Sequence, residues 1–256
     1  GEIYTMSRNG SGIVRLTNDA FVDAAPSWSP DGERIAFQRE SGGDWDVWTM
    51  NAAGSEQTNL TNSPGVDVWS AWSPDGTQLA FTGFRDGLLE VFVMNADGSG
   101  RVALAEGALP AWSPDSTSIA YATSYQGYFA IYVMDANGDN ETRITGGAQQ
   151  DLAPSWSPDG SQIAFARTNE AASEVYIMHS DGSEQTNLTN EPALDGWPDW
   201  RPIVAAAAPV GGVARLSSGS GAADATGLSI GYTTAGLAVT LVLGAGLSIL
   251  GRRRAR

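Results

Sequence analysis

Four aspartates stand five residues ahead of a tryptophan: Asp23 before Trp28, Asp67 before Trp72, Asp151 before Trp156 and Asp195 before Trp200. Four carboxylates around one opening could hold a cation or a basic segment of a partner. The competing reading, favoured by the ordinary behaviour of aspartate in turns, is that each accepts backbone N–H bonds from its own loop. A further tryptophan, Trp112, has Gly107 in the corresponding place. Residues suited to acid–base or covalent chemistry are few. His179 is the only histidine and occupies a position filled by Asn51, Asn95 and Asp135 elsewhere, which makes it a turn residue rather than a base. One Gly-x-Ser-x-Gly match, residues 227–231, lacks the strand–elbow–helix context that exposes a nucleophile. Asp135 to Asp139 resembles the start of a calcium loop, but its glycine comes too early and no glutamate follows at the needed spacing. Without cysteine there is neither a disulfide nor a thiolate metal site. No catalytic residue, cofactor or metal is expected, and the chain does not read as an enzyme.

The aspartates are placed by a repeat. Trp-Ser-Pro-Asp-Gly occurs at 28–32, 72–76 and 156–160, with Trp-Ser-Pro-Asp-Ser at 112–116 and a curtailed Trp-Arg-Pro at 200–202. All five methionines, Met6, Met50, Met94, Met134 and Met178, keep pace with it. Each lies 22 residues before the next Trp of this motif, except that Met94 lies 18 before Trp112. A tandem period of about 40 to 44 residues is that of a four-stranded propeller blade. Ser-Pro-Asp-Gly suits a type I turn at every position, and the flanking residues are strand-like. The last strand of each unit, as in Gln57-Thr58-Asn59-Leu60-Thr61, is the most polar and belongs at the rim. One such sheet cannot bury both faces alone, so neighbouring units must stack, and closure around a channel leaves only short edges. The repeated Trp and Met then fill the spaces between blades.

These units resemble the TolB-type propeller repeat. The resemblance runs over residues 1–203 and rests on Pro-Ser-Trp-Ser-Pro-Asp-Gly, then Ile-Ala-Phe, Ile/Val-Tyr-x-Met, Asp/Asn-Gly and Leu-Thr. It implies an all-β propeller of four full blades with a partial terminal blade, or a piece of a larger propeller. It also implies either binding of partner proteins or the gating of a separate catalytic domain. The chain opens in mid-blade, which implies a fragment or processed product lacking the first two strands of that blade. Residues 198–203 add one more innermost strand, which could share a blade with the opening pair.

Residues 1–203 carry 28 of the 29 acids and nine of the 14 arginines, a net charge of −19, and there is no lysine. So acidic a domain is unsuited to nucleic acid, whose binding depends on neutralising phosphates. Residues 204–226 form an Ala/Gly/Ser-rich flexible linker. Residues 227–251 contain no charge and are long enough to span a bilayer as a helix, and residues 252–256 are an arginine-rich tail. Arginines flanking that end place it in the cytoplasm and the propeller in the periplasm or on the cell surface. The segments between second and third strands, 39–45, 83–89, 123–129 and 167–173, differ from unit to unit and share the aspartates' face. Variation on one face against fixed turns on the other marks the varied face for recognition. Its candidate partner-binding residues are Trp45, Phe84, Arg85, Tyr125 and Tyr128, with ordinary loop packing as the alternative. The expectation is a membrane-tethered, non-enzymatic propeller that binds a protein or peptide. The alternative is an accessory propeller of a peptidase or other hydrolase.

Overall fold

Short runs of β-branched and aromatic residues between turn clusters form strands along the whole of the repeat. A computed structural model describes residues 1–7, 9–168, 172–190 and 194–200, together with the backbone of a strand at Leu228–Ile230. The opening pair is β1 (Tyr4–Thr5) and β2 (Val14–Arg15). Unit 1 comprises β3 (Val22–Trp28), β4 (Arg34–Ser41), β5 (Asp44–Asn51) and β6 (Thr58–Asn59). Unit 2 comprises β7 (Val66–Trp72), β8 (Gln78–Arg85), β9 (Leu88–Asn95) and β10 (Val102–Glu106). Unit 3 is β11 (Ala108–Trp112), β12 (Ser118–Tyr125), β13 (Tyr128–Asp135) and β14 (Thr142–Arg143). Unit 4 is β15 (Gln150–Trp156), β16 (Gln162–Thr168), β17 (Ser173–His179) and β18 (Thr186–Asn187). Within each unit the strands pair antiparallel in chain order, and one parallel pairing, Trp45 with Val66, joins units 1 and 2 into an eight-stranded sheet. Finally β19 (Pro198–Trp200) pairs with β20 (Leu228–Ile230). The described fold is all-β, as the repeat predicts.

The Ser-Pro-Asp-Gly turn closes as its residue types require. The Gly32 N–H donates to the Ser29 carbonyl at 2.9 Å, and the Ser29 hydroxyl donates to Asp31 Oδ1 at 2.6 Å. The same serine–aspartate bond recurs at Ser73, Ser113 and Ser157. Second strands are buried on both faces: Ile35-Ala36-Phe37, Leu79-Ala80-Phe81, Ile119-Ala120-Tyr121 and Ile163-Ala164-Phe165. A strand covered on both sides can be apolar at consecutive positions, and stacked units supply that cover.

The expectation that Trp and Met fill the spaces between units holds within the array and fails at its start. Met50, Met94, Met134 and Met178 are buried, as are Trp72, Trp112 and Trp200, whereas Met6 and Trp28 are exposed. First strands also carry a β-bulge that the sequence reading did not foresee. Pairing shifts between Ala24 and Ser27, Val68 and Ala71, Ala108 and Ala111, and Leu152 and Ser155. At each bulge a non-glycine residue sits at positive φ: Ala25 at 48°, Trp69 at 55°, Leu109 at 59° and Ala153 at 51°. Trp69, Leu109 and Ala153 then pack together with Val68 and Ala108 along the innermost strands.

The predicted linker at 204–226 and arginine tail at 252–256 lie outside the described residues. Of the predicted membrane span, 227–251, only Leu228–Ile230 is described. It is extended rather than helical, because the edge of β19 supplies its backbone with hydrogen-bonding partners. No helix among the described residues is long and apolar enough to cross a membrane.

Candidate functional site

The aspartates ahead of the repeated tryptophans lie inside the fold rather than open at a channel mouth. Asp23, Asp67, Asp151 and Asp195 are all buried. Three of them face an arginine of their own unit. The Arg39 Nε and Nη2 groups donate to the two oxygens of Asp23 at 2.6 and 2.7 Å, and Arg167 does the same to Asp151 at 2.6 and 2.9 Å. Each arginine is the register partner of its aspartate on the second strand. In unit 2 that partner is Gly83, and Arg85, two residues further along the same face, reaches back to Asp67 with bonds of 2.6 and 2.7 Å. A Cβ on Gly83 would fall 2.6 Å from the Phe92 ring, so the shift of the arginine is matched by the glycine. Bonding to the buried carboxylates holds the Arg39 and Arg167 guanidinium groups above their ordinary range. Asp195 makes backbone bonds, its N–H donating to the Ser173 carbonyl. Among the described residues no cluster of acids and histidine is placed to hold a metal ion.

Unit 3 departs from this plan in a connected way. β10 runs into β11 with Gly107 alone between them, which is why Met94 and Trp112 are closer than other such pairs. There is no loop to tie down, and Gly107 replaces the aspartate. A Cβ there would fall 2.6 Å from the Tyr121 ring and 2.8 Å from the Ala122 carbonyl oxygen. The register position held elsewhere by Arg39 and Arg167 is Thr123. Both members of the ion pair are here replaced by small residues, and a cavity of about 60 Å³ has Gly107 and Thr123 in its lining. Phe84, Leu88, Leu89 and Phe129 give it an apolar lining, to which Thr123 and Glu106 also contribute. It is far smaller than the ~300 Å³ and upward usual for small-molecule pockets.

The segments expected to be variable loops are the tips of long hairpins. β8–β9 and β12–β13 pair out to Arg85–Leu88 and Tyr125–Tyr128, with Asp86-Gly87 and Gln126-Gly127 between them at positive φ. Two such residues give the primed turn that matches strand twist. The candidate residues therefore divide. Phe84 lines the cavity. Tyr128 is 39% exposed beside the cavity's Phe129. Tyr125 is half-buried, with the Arg143 guanidinium 3.9 Å above its ring. Trp45 is half-buried against the Trp69 cluster, and Arg85 is committed to Asp67. Leu88, Leu89 and Glu106 were missed by sequence reasoning; the absent aspartate at Gly107 was the one pointer to them. His179 is an exposed turn residue with Nε2 3.1 Å from Glu184 Oε2.

The profile of the TolB beta propeller domain family matches residues 1–108 and 101–202. No match is found among curated proteins. Solved structures that share the fold include TolB from Acinetobacter baumannii, 24% identical with a TM-score of 0.70, covering 78% of this chain and 51% of its own. The present chain thus spans about half the length of that relative. A protein taken to be TolB in Agrobacterium tumefaciens is 19% identical with a TM-score of 0.55, covering 72% of this chain and 89% of its own. An oligogalacturonate lyase from Vibrio parahaemolyticus is 14% identical with a TM-score of 0.55, covering 75% and 60%.

Proposed function

The chain belongs to the TolB β-propeller family, and from that premise we propose that it binds a protein or peptide through its hairpin face, without catalysing a reaction. One apolar side chain of the partner enters the cavity between units 2 and 3. The observation that carries this reading is the cavity itself: it lies on the varied face, at the one unit where the Asp–Arg pair is replaced by Gly107 and Thr123. Its apolar walls suit an aliphatic or aromatic anchor, Tyr128 offers a flanking aromatic contact, and Glu106 favours a neighbouring Arg or Lys. The acid excess of residues 1–203 would speed the approach of a basic segment and make it salt-dependent. A hydrolase gated by this propeller would be one such partner. Members of this family with known roles include propellers that bind other proteins, and fold alone does not select the partner.

In the same proposal the propeller is held outside a membrane. Residues 231–251 remain uncharged beyond β20, about the length a span needs, and arginines follow at 252–254 and 256.

A displayed random-peptide library panned against the full chain in mild detergent tests the site. Selected peptides are expected to pair an apolar anchor with Arg or Lys and to lose at least tenfold in affinity on Leu88→Asp. Equal enrichment on wild type and Leu88→Asp, with both variants folded by circular dichroism, would refute it.

A further inference from the structure

Units 1, 2 and 4 each commit an arginine of their own to a buried aspartate. Unit 3 has Gly107 where that aspartate would stand, and its one arginine, Arg143, comes from the fourth strand, β14. Arg143 is exposed. Among the described residues it is the one arginine whose guanidinium neither donates a hydrogen bond nor meets a carboxylate, the others all having acceptors. Glu141, two residues earlier, accepts a bond from the Tyr121 hydroxyl at 2.5 Å instead.

The unpaired guanidinium is nevertheless held in place. The Tyr125 ring centre lies 3.9 Å from its Cζ. A Cβ on Gly146 would lie 3.6 Å from the same Cζ and 3.8 Å from each Nη. Near-equal distances to those three atoms put that point over the guanidinium plane, since an approach at the edge would favour the nitrogens over Cζ. No Tyr125 atom is as close to that point, so the ring lies on the other face. Tyr125 and Gly146 thus cover the two faces, and the N–H groups along the edge stay open. A planar fork with packed faces and a free edge is suited to a carboxylate, which it takes through two parallel N–H···O bonds.

This fork stands beside the cavity. Tyr125 follows Thr123, a lining residue, by two positions on the same face of β12, about 7 Å along the strand. Residues 1–203 carry a net charge of −19, a field that opposes an anion wherever no cation meets it. The described guanidinium still open to one is that of Arg143. We propose that Arg143 is a carboxylate-binding subsite of the hairpin face, taking an acidic group that lies roughly one or two residues from the partner's apolar anchor. The inference rests on the reading that the anchor fills the cavity. A carboxylate suits this field better than a phosphate, because it brings one negative charge rather than nearly two. The carboxylate is either an Asp or Glu side chain or the free C-terminus of a partner that ends in an apolar residue.

Two random-peptide libraries, one displayed with free C-termini and one with fused C-termini, are panned against the full chain in mild detergent and in parallel against Arg143→Gln. On wild type, an apolar residue with Asp or Glu one or two positions away is expected from both libraries if a side chain is held. Apolar C-terminal residues from the free-ended library alone would identify the terminal carboxylate. Arg143→Gln, folded by circular dichroism, is expected to keep the apolar residue and lose the acid. A selected peptide, followed by fluorescence anisotropy, is expected to bind wild type about tenfold more weakly once its carboxylate is made an amide. It should weaken equally on Arg143→Gln, and lose nothing further when both are changed; an arginine that merely supports Tyr125 would not produce that dependence. Selection of an apolar residue without a carboxylate, or of the same carboxylate on Arg143→Gln, would overturn this inference and leave the cavity reading standing. So would an amidated peptide that binds wild type unchanged. Selected peptides with no apolar residue in common, or no enrichment at all, would overturn both.

Discussion

Replacing Asp151 with Asn removes the charge opposite Arg167 while keeping the shape of the side chain. The guanidinium then loses a carboxylate that accepted bonds at 2.6 and 2.9 Å, and keeps Gln185 Oε1 at 2.8 Å. Breaking a buried pair by removing one partner costs about 3–5 kcal/mol, because the remaining charge is uncompensated. Since the amide oxygen still accepts one bond, the lower figure of about 3 kcal/mol applies, a fall in Tm of about 6–12 °C for a chain of this size. The double variant Asp151→Ala/Arg167→Thr follows the arrangement found in unit 3 and leaves no buried charge. It forfeits the guanidinium's contacts with Tyr176 and Phe165, whose ring centres lie 4.7 and 5.1 Å away. Such contacts are worth about 0.5–2 kcal/mol, so the double variant should be more stable than Asp151→Asn. Additive behaviour would instead put it at roughly 6 kcal/mol or worse, given a similar cost for each single removal. Urea unfolding of the full chain, followed by tryptophan fluorescence, measures Asp151→Asn together with the four members of the cycle: wild type, Asp151→Ala, Arg167→Thr and the double variant. An Asp151→Asn variant within about 0.5 kcal/mol of wild type, or a double variant equal to the sum of the singles, would refute the claim that these aspartates serve as internal ties.

Two further outcomes concern the repeat. The Ser157 hydroxyl, donating to Asp159, is the largest cause holding that carboxyl down at about 2, with the Ser161 N–H and hydroxyl helping. A depressed folded value means that the turn contributes stability above the unfolded value near 4 and loses it as pH falls towards 2. Ser157→Ala should therefore raise the Asp159 value in a carboxyl-carbon NMR titration and move acid unfolding to higher pH; an unchanged titration would contradict the turn's chemistry. Trp72→Phe removes the indole bond to Ser27 and should cost about 1 kcal/mol beyond the lost ring area. Trp156→Phe should cost less, because the Trp156 Nε1 is buried without a hydrogen-bond partner; equal losses in chemical denaturation would show that the indole bonds do not help join the units.

The spacing of Trp, Met and Ser-Pro-Asp-Gly was enough to determine four-stranded units, their order and most of the interface residues. Turn type and strand alternation are local properties, and a repeat displays them several times over. What Asp23, Asp67 and Asp151 do was not legible, because Arg39, Arg85 and Arg167 lie 16 or 18 residues away and at two different register positions. Only pairing between strands brings those charges together. Arg85 looked like an exposed anchor because a sequence does not show that Gly83 leaves room for it to turn inward. The cavity at Gly107 was equally hidden, since a space exists only where several strands converge and one side chain is too small to fill it. The bulges at Ala25, Trp69, Leu109 and Ala153 likewise follow from how inner strands meet, not from the residues that occupy them. Sequence thus decided the units, through contacts between near neighbours; tertiary structure decided where charge is neutralised and where space is left, through contacts between residues far apart in the chain.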